Sequence, residues 1–183
     1  VTFTDSGCMV EELKKCPMPG VAAPVSWEEF ISFVADGIEP LMDRAECIGF
    51  CFSYTAEVTP DIDGRVVRID KEVTVRGCEG QLVGESLMAE LARRGISGKS
   101  FVILNDTVAV LLGGSALLDK SRYSGFFGQV SGTGTNTCCA VPYRDIEKLG
   151  RDEPGEILVN LECGMYAGLP RGKFDLLLDA QSK

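Results

Sequence analysis

A short unbroken apolar run, Phe101-Val102-Ile103-Leu104, stops on Asn105-Asp106-Thr107, three side chains that can each cap a helix, and an apolar stretch then runs to Leu118. An unbroken apolar run of this length suits a strand buried on both faces. The chain therefore hands a buried strand directly to a helix. That handover, with the meandering strands and amphipathic helices around it, predicts an α/β fold. It also marks a location. Ligands on open α/β sheets gather at the carboxyl ends of strands, and a carboxylate at a helix N-terminus is held ionised by the macrodipole. Asp106 is thus a candidate acceptor for a hydroxyl proton. The plainer alternative is that Asn105 or Asp106 only caps the helix.

The rest of the chain divides at equally local signals. Ser26-Trp27-Glu28-Glu29 is a capping box, and Trp27, Phe30, Ile31, Val34, Ile38 and Leu41 then recur at helical spacing. Residues 48–58 read as one strand, Asp63-Gly64 as a hairpin turn, and residues 65–69 as the returning strand. A helix is predicted over residues 84–94, ending at Gly95. Gly113-Gly114 costs the following apolar helix about 2 kcal/mol relative to alanine and marks either a break or a close packing. Residues 1–4 read as a strand already under way, entering a turn at Asp5-Ser6-Gly7. Strands at 125–130 and 138–141 flank Ser131-Gly132-Thr133-Gly134-Thr135-Asn136. Glycines there permit a tight turn with N–H groups facing an anion, although an ordinary hairpin turn has the same composition. A strand over 156–161 leads to Glu162, whose plain reading is solvated surface. Ser53 reads by itself as a core serine, and Lys71 as part of an exposed strand face.

The 183-residue chain contains no histidine. Ser-His-Asp triads, Cys-His proteases and imidazole-ligated metals are excluded, so any general base is a carboxylate, lysine, tyrosine or thiolate. With 18 basic and 27 acidic residues the net charge is −9, which argues against a nucleic-acid or anionic-membrane surface. No apolar run reaches the ~18 residues of a membrane span. The eight cysteines include no C-x-x-C pair, so no metal site is assigned. Cys47 and Cys51 lie in the apolar string ECIGFCFSY, where cysteine behaves as a small hydrophobe. Buried free thiols in a reducing, cytoplasmic compartment are expected.

Taken in order, CFSYTAE (residues 51–57), DKEV (70–73), LNDTVAVL (104–111), SGTGTN (131–136) and VNLECG (159–164) resemble the hexokinase family, in a spelling closer to its bacterial members. The resemblance implies an actin-like ATPase fold of ribonuclease-H-like lobes, with residues 1–104 in the small lobe and 105–183 at the start of the large lobe. It implies transfer of a phosphoryl group from ATP, carrying Mg2+, to the 6-hydroxyl of a hexose, glucose first among them. Asp106 would be the base; Ser53, Lys71, Asn105, Asn136 and Glu162 would bind the sugar; Gly132, Thr133 and Gly134 would face the ATP phosphates. Asp70 stands where family members usually carry threonine, and Ile69 and Cys163 where they usually carry tryptophan. The family's Asp-x-Gly-Gly-Thr phosphate turn and its adenosine-binding part are expected outside this stretch, so the chain is expected to be an inactive fragment. Its strand edge at residues 1–4 could pair a second copy. The alternative is a non-catalytic sugar-binding or regulatory module of the same ancestry.

Overall fold

The computed structural model describes residues 2–4, 7–69, 72–118, 120–132, 134–166, 168 and 170–181. Strands β1 (Thr2–Thr4) and β2 (Gly7–Met9) form an antiparallel pair, so the opening strand has one partnered edge. Strand β3 (Val25–Ser26) leads into helix α1 (Trp27–Ile38), and β4 (Cys47–Cys51), β5 (Thr55–Val58), β6 (Gly64–Arg68) and β7 (Val75–Arg76) follow. Helix α2 (Val83–Arg93) crosses to β8 (Ser100–Leu104), which runs into α3 (Asp106–Leu117). Strands β9 (Phe127–Ser131), β10 (Thr135–Pro142) and β11 (Glu156–Asn160) form an antiparallel sheet in the order β11-β10-β9, and α4 (Lys173–Gln181) follows.

The capping box forms as read. Ser26 accepts the Glu29 N–H at 3.1 Å, and Glu29 accepts the Ser26 N–H at 2.7 Å. Helix α1 then buries Trp27, Phe30, Ile31 and Ala35 against Val83, Leu87 and Leu91 of α2. Ile48, Val66 and Ile103 join this core from β4, β6 and β8. Each fully buried large apolar side chain contributes on the order of 1.5–3 kcal/mol. Arg94, just past α2, ties the two helices: its guanidinium reaches Asp36 at 2.6 Å, Glu39 at 2.7 Å and Glu90 at 2.7 Å. Hydrogen bonds from Arg93 and Arg94 hold the Glu90 carboxyl at about 2, below its ordinary 4.5. The ionised Glu90 therefore supports the fold above that ordinary value, and the support is lost as pH falls toward 2.

Five local expectations are corrected. The strand read over 48–58 is two strands. Strand β4 ends where Cys51 pairs with Leu104 in parallel with β8, and β5 then turns to pair with β6. Ser53, in the break between them, is exposed rather than core. Strand β8 is covered on one face: Ile103 is buried, while Val102, which alternates with it, is exposed. Gly113-Gly114 is neither a break nor a close packing, since α3 is continuous and a Cβ at either position meets nothing within 4 Å. Cys47 and Cys51 are exposed rather than buried, although both Cys78 and Cys138 are buried free thiols.

The hairpin signal at Asp63-Gly64 holds, with a longer loop and a second use. The Thr59 N–H donates to the Asp63 carbonyl at 2.8 Å, closing the loop. Helix α2 has Leu82 at its N-cap and no capping side chain of its own. Asp63 supplies the cap from the hairpin, accepting the Gly84 N–H at 2.6 Å and the Glu85 N–H at 2.9 Å. Gly84 is required there, because a Cβ would sit 2.4 Å from the Phe101 ring. Replacing Asp63→Ala is expected to lower the unfolding free energy by about 1–2 kcal/mol in denaturant titration, with Asp63→Asn retaining most of it. Equal midpoints for wild type and Asp63→Ala would show that the cap is idle.

Candidate active site

A cleft of about 1210 Å³ opens where β8 becomes α3 and faces the β9–β11 sheet. Ser53, Asn105, Asp106, Gly132, Gly134, Asn136 and Glu162 all line it, so strings more than a hundred positions apart meet at one cavity. Lys71, Asp70 and Thr133 lie outside the described residues.

On the first wall, Asn105 is the N-cap of α3 and accepts the Thr107 N–H at 2.9 Å. Asp106 Oδ1 accepts that same N–H at 2.7 Å and the Thr107 hydroxyl at 3.2 Å. Capping and a half-buried carboxylate in the cleft therefore coexist here. Cys51, at the end of β4, registers the Asp106 charge: although the residue is exposed overall, partial desolvation of its sulfur first, then the Asp106 carboxylate, push its thiol above the ordinary range. The neutral thiol is the favoured state beside Asp106, which counts against Cys51 as a nucleophile.

What holds this wall to the second is a close approach of backbones. Thr107 is fully buried. A Cβ at Gly128 of β9 would stand 2.8 Å from both the Thr107 carbonyl oxygen and the Leu111 nitrogen. Only hydrogen fits between the first turn of α3 and β9.

On the second wall the side-chain amides interlock. Asn136, on β10, accepts the Thr137 N–H with Oδ1 at 2.8 Å, which fixes its amide orientation. Its Nδ2 donates to Asn160 Oδ1 at 2.8 Å and to Glu162 Oε1 at 3.1 Å. Asn160 in turn donates from Nδ2 to Glu162 Oε1. Glu162 adopts φ 49° and ψ 39°, a left-handed conformation that costs a residue with a side chain about 1–2 kcal/mol and turns the chain off β11. Gly164 packs behind it so tightly that a Cβ would lie 2.5 Å from the Thr135 carbonyl oxygen. Asn160 is the residue that motif reading missed. Its signal was available in the VNLECG string, where it stands two positions before Glu162 at the end of an expected strand. The 131–136 turn differs from its expected form in one respect: the Gly132 N–H donates to the Gly134 carbonyl at 2.8 Å and closes the turn itself. A Cβ at either glycine would meet nothing within 4 Å, so the backbone there is open to close approach.

Two family models described as hexokinase match the chain, one over residues 1–116 and the other over residues 126–183. The chain belongs to the hexokinase family. Hexokinase-1 of Spinacia oleracea is 27% identical over 158 residues, which is 84% of this chain and 31% of that protein. A chloroplastic Hexokinase-2 of Nicotiana tabacum is 32% identical over 145 residues, 76% of this chain and 28% of that one. The solved hexokinase of Schistosoma mansoni complexed with glucose superposes with a TM-score of 0.64 at 26% identity, covering 80% of this chain and 34% of that structure. The chain thus has the actin-like ATPase fold expected from its motifs. It spans about a third of the length of the hexokinases it matches.

The α3–β9 contact makes Gly128→Ala a test of how the two walls are joined. Overpacking of this kind costs about 1–3 kcal/mol, read as a lower midpoint in denaturant unfolding. Unchanged stability in Gly128→Ala would mean that α3 and β9 are not in backbone contact.

Proposed function

We propose that this hexokinase-family chain carries the sugar side of an ATP-dependent hexose kinase site, with Asp106 as the base. The observation that carries the reading is the convergence of Asn105, Asp106, Asn136 and Glu162 on one cleft. A hexose is neutral and studded with hydroxyls, so its site needs paired amide and carboxylate groups rather than net charge. Ser53, Asn105, Asn136 and Glu162 are proposed to bind the hydroxyls, and Lys71 joins them by the family pattern. The glucose held by the Schistosoma relative makes glucose the first hexose to try.

The family implies ATP with Mg2+, and the open backbone at Gly132 and Gly134 fits phosphates approaching that turn. The metal, arriving with the nucleotide, would neutralise phosphate charge. In the transfer, the sugar's primary hydroxyl oxygen bonds to the γ-phosphorus while the bond from phosphorus to the β–γ bridging oxygen breaks and ADP leaves. The hydroxyl proton passes to the Asp106 carboxylate. The transition state is loose and asks little of the base, so an aspartate suffices in a chain without histidine. Most of the acceleration comes from orientation, which is the work of the two hydrogen-bonded walls.

Residues 1–104 and 105–183 are proposed to belong to the smaller and larger lobes. Their separate packing supports this: the main core draws its residues from positions 25 to 103, whereas Thr107, Leu111 and Cys138 are buried elsewhere. A cytoplasmic setting is supported by the free thiols among the described cysteines.

Because the chain spans about a third of the length of its relatives, the proposal is tested by a coupled phosphorylation assay with calorimetry on full-length protein that carries this stretch. Asp106→Asn is expected to lower transfer by roughly 10²–10⁴-fold while leaving hexose affinity largely intact, and Glu162→Ala to weaken hexose binding by about 1–3 kcal/mol. A fall of less than tenfold in Asp106→Asn would remove Asp106 from the role of base. Hexose binding without any turnover would replace the kinase by a sugar-binding module.

A further inference from the structure

We propose that Asn160 is a positioning residue that locks the two sugar-facing side chains, Asn136 and Glu162, into one hydrogen-bonded unit. The inference rests on the sugar-site reading above and adds a residue that the motif pattern did not assign.

Asn160 closes β11 and is half-buried on the cleft wall. Its amide is used from both ends. Oδ1 accepts from Asn136 Nδ2 at 2.8 Å, and Nδ2 donates to Glu162 Oε1. Because Asn136 Oδ1 is already occupied by the Thr137 N–H, the direction of every bond in the chain is determined. Thr137 orients Asn136, Asn136 orients Asn160, and both amides aim at a single oxygen of Glu162.

That arrangement has a chemical consequence. Two N–H groups on Oε1 hold the carboxylate against its neighbours, and among the described residues no group donates to Oε2. The second oxygen is therefore left to accept from a ligand hydroxyl. Glu162 needs such a hold because it leaves the strand in a left-handed conformation, where the backbone turn alone does not fix the side chain. Asn136 has both amide hydrogens engaged by Asn160 and Glu162, so it meets a sugar hydroxyl only as an acceptor, through the second lone pair of Oδ1. Asn160 keeps one N–H beyond its bond to Glu162 and faces the same cleft. A packing role would ask only for the size of asparagine. A positioning role asks for its donor.

The difference is testable with Asn160→Ala, Asn160→Asp and Glu162→Ala, alone and combined, in the full chain. Glucose affinity measured by calorimetry is expected to fall roughly ten- to a hundredfold in Asn160→Ala, the effect of a lost bond to a charged group. It is expected to fall at least as far at neutral pH in Asn160→Asp, which keeps the shape and places a carboxylate against Glu162. With Glu162→Ala already present, Asn160→Ala should add less than threefold. Asn160→Asp binding like wild type, or full additivity of the two alanine variants, would overturn the proposal.

A second reading is independent of sugar. In 15N spectra of the unliganded chain the Asn136 side-chain NH2 pair should shift in Asn160→Ala, and the Asn160 pair should shift in Glu162→Ala. If the wild-type chain binds no glucose while these shifts occur, the sugar-site reading fails and the hydrogen-bonded unit stands. If glucose binds and Glu162→Ala weakens it but Asn160 variants and their amide signals are unchanged, the positioning role fails.

Discussion

The backbone contact between the first turn of α3 and β9 is the constraint on which the candidate site depends. With Gly128 as the spacer, a Cβ would be 2.8 Å from the Thr107 carbonyl oxygen, so the distance between Asp106 and the β9–β11 sheet is set by hydrogen, not by a side chain. Thr107, fully buried at this junction, also bonds Asp106 through its N–H and hydroxyl. One residue therefore serves the packing of the wall and the orientation of the carboxylate. Interiors are packed too densely for such a contact to shift without consequence.

The second wall solves a different problem. A carboxylate and two asparagines presented to solvent would adopt many rotamers, and ordering a long side chain costs up to about 2 kcal/mol. The Thr137–Asn136–Asn160–Glu162 chain of bonds meets that cost before any ligand arrives. Pre-orientation of this kind is what a phosphoryl transfer with a loose transition state requires from a protein. It also fits the proposed ligand: on a strongly acidic chain without histidine, amides and carboxylates at fixed angles would meet a neutral polyol.

Much of this was legible in the residues, for local reasons. The Ser26–Glu29 capping box, the α2 stop before Gly95 and the β8–α3 handover are each encoded within a few positions, and each formed. What stayed hidden was set by partners distant in sequence. Residues 48–58 split because β4 pairs with β8 and β5 with β6, and nothing in ECIGFCFSY announces two different partners. Val102 is exposed because α2 and the start of β6 cover only the Phe101–Ile103 face of β8, a fact about distant elements rather than about its own strand. Asp63 was read as a turn residue, yet it also caps a helix beginning twenty positions later. In the site, Asn105, Asp106, Asn136 and Glu162 were found by motif, whereas Asn160 needed its spacing from Glu162 to be read together with the register of β10 and β11.

That two walls distant in sequence act as one hexose site is tested most directly by titrating the 15N-labelled chain with glucose. The backbone and side-chain amide signals of Asn105, Asp106, Asn136, Asn160 and Glu162 are expected to move along one saturation curve with a single dissociation constant. Movement confined to the α3 wall or to the β10–β11 wall, or no movement at saturating glucose, would contradict it.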